Sequence, residues 1–495
     1  MAPSDVTASN PATGKAPRQG LGGIGALSIL IASLCALPMV AVLIAALSGG
    51  TDTIESLRDT VLARYTLATL ALVVLVSTGT FLLGVGAAWL VTMTRFPGVR
   101  VFEIALVLPL AFPAYVLAYA YTHILDHPGI VQTTLRDITG WGPRDYWFPE
   151  VRSLGGAAAM LILVLYPYVY LLARAAFLQQ SATTFLAARA LGSSAWSAFV
   201  KVSLPMARPA IAAGVLLAIM ETIADFGTVS YFSVQTFATG IYTSWFSMGD
   251  RAAAAQLALC LLSFALLLAV LERKQRGRAV YFDASRRQQS MEPSPLVGAR
   301  ATLAIFLCGV PVLFGAVLPI LILFSMGLGS EQNLLSERYL GFIRNSFVLA
   351  ATAAVITVGA AISIGFTQRL RPGRRSNAAA YVARLGYAVP GGVIAVGLLV
   401  PFAFFDNTLD AWMRATFDIS TGLLITGSIW LLVLAYMVRF LAAALGAYEG
   451  GQAMVPSNMD AAARSLGQTP LGTLRRVHLP ILTPSLLTAL LIVFV

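Results

Sequence analysis

Two carboxylates, Glu221 and Asp225, lie in the otherwise apolar run 209–227. Their spacing of four residues places them on one face if the run is a helix. Carboxylates inside an apolar segment are costly to remove from water, and they usually face a cavity or a charged partner. Two interpretations stay open: the pair lines a pathway for cations, or it is bound by an arginine or by backbone groups near the outer end of the segment.

His123 and His127 have the i,i+4 spacing that allows two imidazoles on one helix to bind the same metal ion. Pro128 ends that turn, and two ligands leave most of a coordination shell unfilled, so a polar helix end is the alternative. We expect no resident metal and no cofactor. The third histidine, His478, is expected to be exposed.

The sequence lacks the motifs that would indicate an enzyme. It contains no G-x-x-x-x-G-K-[ST] phosphate loop, no H-E-x-x-H, no C-x-x-C pair and no nucleophile elbow. Three histidines leave little for acid–base catalysis. We therefore expect no catalytic residues, and any energy from ATP must come from a separate subunit.

The elements that hold these residues are membrane helices. The chain is 58% hydrophobic and 11% charged, with a mean hydropathy of +0.80, whereas soluble domains carry about 25% charged residues. A helix needs about 20 mainly apolar residues to cross a bilayer. Apolar runs of that kind lie near 21–47, 63–91, 101–122, 154–176, 209–227, 253–271, 301–326, 343–365, 381–403 and 421–441, with a last run from about 484. The predicted fold is an all-α polytopic membrane protein.

The formal net charge of +11 comes from Lys and Arg that collect in alternate gaps between the runs. These gaps include RLRPGRR at 369–375, and the gap after the tenth run is assigned Arg439, at the end of that run, with Arg464, Arg475 and Arg476. The positive-inside rule makes these gaps cytoplasmic, and the N-terminus with them. No basic face interleaved with aromatic residues occurs, so we expect no nucleic-acid partner.

One of these gaps is repeated. AARALGSSAWSAFVKVSLP at 187–205 aligns without gaps with AARSLGQTPLGTLRRVHLP at 462–480, at a constant offset of 275 (462 − 187). Each copy reads as a short helix, a glycine with positive φ, a second short helix and a Leu-Pro that begins the next span. Such a unit, present twice, suits docking onto a two-fold symmetric partner. An amphipathic elbow lying on the bilayer is the alternative.

The repeated segment resembles the EAA motif of ABC-importer permeases, E-A-A-x-x-x-G followed by a hydrophobic-x-Leu-Pro ending. The matching residues are Ala187, Ala188, Gly192, Leu204 and Pro205 in the first copy, and Ala462, Ala463, Gly467, Leu479 and Pro480 in the second. The leading Glu is absent: Leu186 and Ala461 stand there, with Asp460 one position earlier.

The resemblance implies that both copies are coupling loops that dock on a homodimeric ABC ATPase, in a bacterial inner-membrane importer served by a periplasmic solute-binding protein. Residues 221–259 are similar to the ferric-iron uptake permeases in particular, which implies iron as the substrate. Other ABC substrates stay open, namely thiamine, polyamine or phosphonate. An ion-coupled secondary transporter and a membrane-embedded enzyme are the further alternatives. A secondary transporter should have its repeat around polar residues at the membrane midplane, whereas this repeat lies in a gap between apolar runs.

We expect four regions: a disordered cytoplasmic N-terminus at 1–20, a first permease half at 21–271, a cytoplasmic linker at 272–300 and a second half at 301–495. By the repeat, Pro484 matches Pro209, yet only eleven residues follow Pro484 (495 − 484). We therefore expect the second half to be incomplete at its C-terminus relative to the first.

Overall fold

The structure is a computed structural model that describes residues 23–178, 180, 187–276, 293–329, 336–453 and 455–494. The predicted N-terminal segment 1–20 and residues 277–292 of the predicted linker lie outside the described residues, as does Leu186 of the first loop.

Helices dominate the described part of the chain, where ten are long and apolar enough to cross a membrane and one bent pair gives an eleventh candidate. We number these spans in chain order and count the bent pair as span 3. They are span 1 Gly23–Ser48, span 2 Glu55–Met93, span 3 Val99–Ala111 with Ala114–Thr139, span 4 Leu154–Leu178, span 5 Trp196–Ala224, span 6 Arg251–Leu268, span 7 Ala299–Leu328, span 8 Glu337–Leu370, span 9 Gly391–Phe417, span 10 Ile429–Gln452 and span 11 Pro470–Phe494. The predicted all-α polytopic fold is confirmed.

Shorter elements connect the spans. They are the helices Gly227–Tyr231, Phe237–Tyr242, Arg374–Leu385 and Ser457–Ser465, the π-helical turn Thr243–Ser247 and the 3-10 turn Gly386–Ala388. Two short strands, Thr94–Arg95 and Ser294–Pro295, pair in parallel, with Thr94 opposite Ser294.

Prolines break the chain at corresponding places in the two halves. The two parts of span 3 meet at 91°, and Pro113 stands before the second part with φ −62° and ψ 135°. Pro390 stands before span 9 with nearly the same angles, φ −58° and ψ 145°. The residue before a proline avoids the helical region, so each proline ends one helix and begins another. PAYVLA at 113–118 and PGGVIA at 390–395 align at an offset of 277 (390 − 113), so the two prolines also correspond in sequence.

The described chain packs as two compact units that do not follow chain order. The smaller unit takes its residues from Met1–Ala36, Ala350–Arg384 and Phe440–Val495, and the larger from Leu37–Leu349 and Leu385–Arg439. Spans 1, 8 and 10 contribute residues to both.

Glycines allow the helices of the larger unit to approach closely. A Cβ on Gly84 of span 2 would lie 2.7 Å from the Cβ of Val169, and one on Gly214 of span 5 would lie 2.8 Å from the Cα of the same residue. Both glycines therefore face one turn of span 4. Small residues at helix contacts are the usual solution in membranes, where lipid is as apolar as the side chains.

In the smaller unit, spans 8, 10 and 11 meet around the fully buried Tyr448. Its ring packs directly on Gly365, where a Cβ would clash, and Leu482 belongs to the same apolar cluster. Span 1 is joined to span 8 by a hydrogen bond of 2.8 Å between the Ser28 and Thr367 hydroxyls. Polar contacts of this kind satisfy groups that lipid cannot.

A polar end extends span 9 beyond the apolar run predicted at 381–403. Asp406, which is completely buried, accepts hydrogen bonds from the backbone and hydroxyl of Thr426 at 2.8 and 2.7 Å. Asp410 accepts bonds from the N–H groups of Thr421 and Gly422 at 2.8 and 2.9 Å. The two carboxylates therefore fold the connection to span 10 back onto span 9, because ionised acceptors bind backbone donors strongly.

Gly84→Val should destabilise the protein by about 1–3 kcal/mol, since a larger side chain must force spans 2 and 4 apart. Gly86→Val is the matched control, because it adds the same side chain to the same helix where no atom lies within 4 Å of the new Cβ. The midpoint of thermal aggregation in detergent, followed by size-exclusion chromatography, measures the difference. Equal midpoints for the two variants would contradict the close contact.

Candidate functional site

The two repeated loops share the backbone turn that the sequence predicts. Gly192 has φ +89° and Gly467 has φ +75°, a conformation that side chains with a Cβ resist. In the first loop the Ser193 N–H donates to the Ala188 carbonyl at 3.0 Å, and in the second the Gln468 N–H donates to the Ala463 carbonyl at 3.0 Å. These bonds are equivalent at the offset of 275, so both loops turn in the same way.

A π-helical turn leads from each loop into the following span. The turns are Phe199–Ser203 and Leu474–His478, again 275 residues apart, and each stands directly before a Leu-Pro. Pro205 and Pro480 have no N–H to give to the preceding turn, so a regular α-helix could not be completed there. The wider turn instead lets the residue before each proline donate five residues back.

Each loop exposes two large apolar side chains at equivalent positions. Leu191 is 87% exposed and its equivalent Leu466 is 78% exposed. Trp196 and its equivalent Leu471 are 69% and 62% exposed. Exposed apolar patches that recur at equivalent positions are typical of an interaction surface.

Most of the residues that carry the EAA resemblance lie on or near the surface of these loops. Ala187, Gly192, Ala462, Gly467 and Pro480 are exposed, Ala188, Leu204, Pro205 and Leu479 are half-buried, and Ala463 is buried. The alanines therefore do not form one uniform face, and the exposed apolar surface that the two loops share consists of Leu191, Trp196, Leu466 and Leu471.

The second loop also carries an ion pair. Asp460 lies 2.7 Å from Nε of Arg369 and 2.6 Å from Nε2 of His478. Burial opposes ionisation of this carboxyl, but the hydrogen bonds from Arg369 and His478 outweigh it and hold the pKa of Asp460 below its usual value. The prediction that His478 is exposed is wrong, because the side chain is completely buried beside this carboxylate.

Glu221 is bound by an arginine, as one of the two interpretations expects. Both carboxylate oxygens lie 3.0 Å from Nη2 of Arg439. The sequence counts Arg439 among the cytoplasmic residues after the tenth run, but this is wrong, because the helix of span 10 continues to Gln452 and Arg439 lies within it. A charge inside a span requires such a partner.

Asp225 does not share a helix face with Glu221, contrary to the prediction from spacing. The helix ends at Ala224, and Asp225 is extended, with φ −65° and ψ 125°. Its carboxylate accepts hydrogen bonds from the N–H groups of Thr228 and Val229 at 3.0 and 3.1 Å. It therefore caps the short helix Gly227–Tyr231 from two residues before its start, because a carboxylate satisfies the free N–H groups of a first turn.

Both carboxylates nevertheless line one cleft of the larger unit, with a volume of about 340 Å³. Tyr115 and Tyr168 line it too, together with apolar residues of spans 3 and 4. Two other tyrosines of spans 3 and 4 lie elsewhere: Tyr166 is completely buried in the core, and Tyr119 packs edge-on against Tyr231. The cleft thus combines acidic and phenolic oxygens with apolar walls.

The histidines of span 3 do not form the helical pair that their spacing suggests. The helix ends at Leu125, and Asp126 pairs with Arg152 at 3.3 Å, so His127 lies beyond the helix that holds His123. No group of three or more candidate metal ligands occurs among the described residues.

Sequence reasoning missed two functional candidates, Arg439 and Arg369. Arg439 stands in the middle of an apolar run, IWLLVLAYMVRFLAAAL, and a charge in that position is itself a signal for an intramembrane partner. Arg369 could not be found in this way, because it begins a run of basic residues that the positive-inside rule already explains.

Glu221→Gln should destabilise the protein because it removes the carboxylate charge that pairs with Arg439 inside the span. The loss should be smaller than the about 3–5 kcal/mol typical of fully buried pairs, since both side chains are partly exposed. Adding Arg439→Gln should restore part of the lost thermal stability. Glu103→Gln, which breaks a more exposed pair with Arg174, is the control and should have a smaller effect. A double variant less stable than Glu221→Gln alone would contradict the pairing.

Comparison with known proteins agrees with these features. Residues 80–277 match the family described as binding-protein-dependent transport system inner membrane component. The chain is 25% identical over 493 residues to an Fe(3+)-transport system permease protein of Haemophilus influenzae, covering 97% of this chain and 88% of that protein.

Two further relatives match a smaller share of this chain. A ferric transport system permease protein of Actinobacillus pleuropneumoniae is 24% identical over 81% of this chain, which spans 58% of that protein. A molybdenum transport system permease protein of Escherichia coli is 28% identical over 39% of this chain and 88% of its own length. With the many apolar helices, the family match shows that residues 80–277 form a binding-protein-dependent, multi-pass inner-membrane permease region of the ABC-importer type.

Proposed function

We propose that this permease moves ferric iron, delivered by a periplasmic binding protein, through the membrane in an importer driven by ATP. The observation that carries the proposal is the similarity to a ferric permease over 97% of the chain. The cleft supports it, because a hard cation prefers oxygen ligands and Glu221 and Asp225 supply carboxylates there.

An oxyanion is the second candidate, since the molybdenum permease is 28% identical over 39% of the chain. The charges of the cleft argue against it. Glu221 and Asp225 both line it, and the guanidinium of Arg439 is bound by Glu221. An oxyanion would meet carboxylates first, and like charges repel.

The partners proposed are a homodimeric ATPase and a periplasmic binding protein. The two loops would dock on the ATPase through Leu191, Trp196, Leu466 and Leu471, which are exposed at equivalent positions. A pair of similar surfaces in one chain matches a partner with two-fold symmetry. The ATPase would hydrolyse ATP, and this chain would provide the pathway.

The chain organisation proposed is two permease halves, 21–271 and 301–495, joined by the linker 272–300. With the N-terminus and both repeated loops in the cytoplasm, the basic gaps obey the positive-inside rule. The long connection 123–153 then faces the periplasm.

The substrate is tested with the complete importer in proteoliposomes, with the binding protein outside and ATP inside. Radiolabelled ferric iron should accumulate only with ATP, and excess thiamine, spermidine, phosphonate or molybdate should not reduce its uptake. Accumulation of labelled molybdate but not of iron would reject ferric iron. Iron uptake driven by a proton gradient without ATP would favour a secondary transporter.

Leu466→Asp and Leu191→Asp should each weaken docking of the ATPase. Each leucine is exposed in the permease and would be buried against the ATPase, where its burial contributes about 1.5–3 kcal/mol. A carboxylate cannot replace that contribution, so the affinity for the ATPase should fall at least tenfold. Leu466→Met is the matched control, since it keeps the apolar area. Co-purification of the ATPase with the permease and the rate of ATP hydrolysis measure the effect. Unchanged co-purification in both Asp variants would mean that the loops lie on the bilayer and do not dock.

A further inference from the structure

Arg369, at the cytoplasmic end of span 8 in the proposed topology, makes contacts well beyond an ordinary ion pair. Its Nε lies 2.7 Å from the Asp460 carboxylate. Its two Nη atoms donate to the carbonyls of Gln452, Val455 and Pro456 at 3.2, 2.9 and 3.1 Å. One planar guanidinium therefore joins the end of span 8, the end of span 10 and the docking helix Ser457–Ser465, a geometry that a lysine could not reproduce.

His478 extends the same network to span 11. Its Nε2 lies 2.6 Å from the other Asp460 oxygen, and its ring packs edge-on against Phe366 at 5.2 Å. Its Nδ1 is buried and has no hydrogen-bond partner within the described part of the chain. Because an ionised carboxylate only accepts hydrogen bonds, Nε2 of His478 is the donor in this contact.

The network is shielded from water. The side chains of Arg369 and Asp460 are only 15% and 13% exposed, and His478 is completely buried. Ion pairs on a protein surface contribute little to stability. When a pair is removed from water, losing one partner destabilises the protein much more, because the other charge is left buried. The depressed pKa of Asp460 agrees with a carboxylate that is held in its charged form.

The first loop has a different set of residues at the equivalent positions. Subtracting 275 from 369, 460 and 478 gives Thr94, Phe185 and Ser203. None of these can form an ion pair, so the sequence itself restricts this network to the second half. The two loops share their backbone turn and their exposed residues but not this anchor.

We propose that Arg369, Asp460 and His478 are positioning residues that make the second docking loop a rigid extension of spans 8, 10 and 11, so that movement of the ATPase passes directly to these spans. Asp460 stands next to the position of the EAA glutamate, yet it turns inward to its own chain. The proposal rests on the docking function proposed above and adds that the two loops are not equivalent.

The first test measures amide hydrogen exchange in the docking helix of the full-length permease. Asp460→Asn and Arg369→Gln should each raise exchange across Ser457–Ser465 about tenfold, because the helix loses its anchor. The effect of the double variant should be smaller than the two single effects combined, since both variants remove the shared Arg369–Asp460 contact. Arg375→Gln, which removes an exposed charge after the same span, is the control and should leave exchange unchanged.

The second test measures iron transported per ATP hydrolysed in the complete importer. Each single variant should lower this ratio about tenfold while ATP hydrolysis continues, and Arg375→Gln should keep the wild-type ratio. Unchanged exchange in Asp460→Asn, or additive effects of the two substitutions, would overturn the anchor. Faster exchange with an unchanged transport ratio would overturn the transmission of movement. Failure of the wild-type importer to move iron would reject the substrate but leave the exchange result valid.

Discussion

The cost of placing a charge or a free backbone group in an apolar environment determines most of this structure. Glu221 lies inside a span, and Arg439, which lies inside another, meets both of its oxygens at 3.0 Å. The carboxylates of Asp225 and Asp406 are bound by backbone donors, since each accepts hydrogen bonds from N–H groups of the segment that follows its helix. Because water is absent from the bilayer core, every such group needs a partner within the protein. The polar residues are therefore the points at which separate helices are fixed to one another.

Close packing provides the second constraint, and it explains where glycine and proline occur. Gly84, Gly214 and Gly365 each face a neighbouring helix at a distance that admits no Cβ. Pro113 and Pro390 interrupt helices at corresponding places, next to residues of the cleft and near Arg439 respectively. Breaks in a span are tolerated where the free backbone groups find partners or line a cavity. Pro113 is thus both the break in span 3 and part of the cleft wall.

The sequence predicts those features that depend on local composition and on the repeat. All eleven apolar runs have a matching span in the structure, and Gly192 and Gly467 have the positive φ that the repeat requires. Features that depend on contacts between distant residues were predicted less well. Asp225 does not lie on the helix face of Glu221 because the helix ends at Ala224, one residue before it. His478 is buried because Asp460 and Phe366 pack against it. Periodicity describes one helix at a time, so it identifies a charged residue inside a span but not its partner.

The difference between the two repeated loops shows what sequence similarity alone would hide. Their turns share an equivalent backbone hydrogen bond, and their exposed apolar residues recur at the same offset of 275. Both features are expected of two loops that contact the same kind of partner surface. Yet Asp460, Arg369 and His478 have no equivalents that could carry charge in the first half. The two loops need not be identical, because each is encoded by its own stretch of this chain. In the function proposed above, the second loop combines the shared exposed surface with a rigid anchor and the first loop has the surface alone, so the two-fold symmetry proposed for the ATPase need not extend into the membrane.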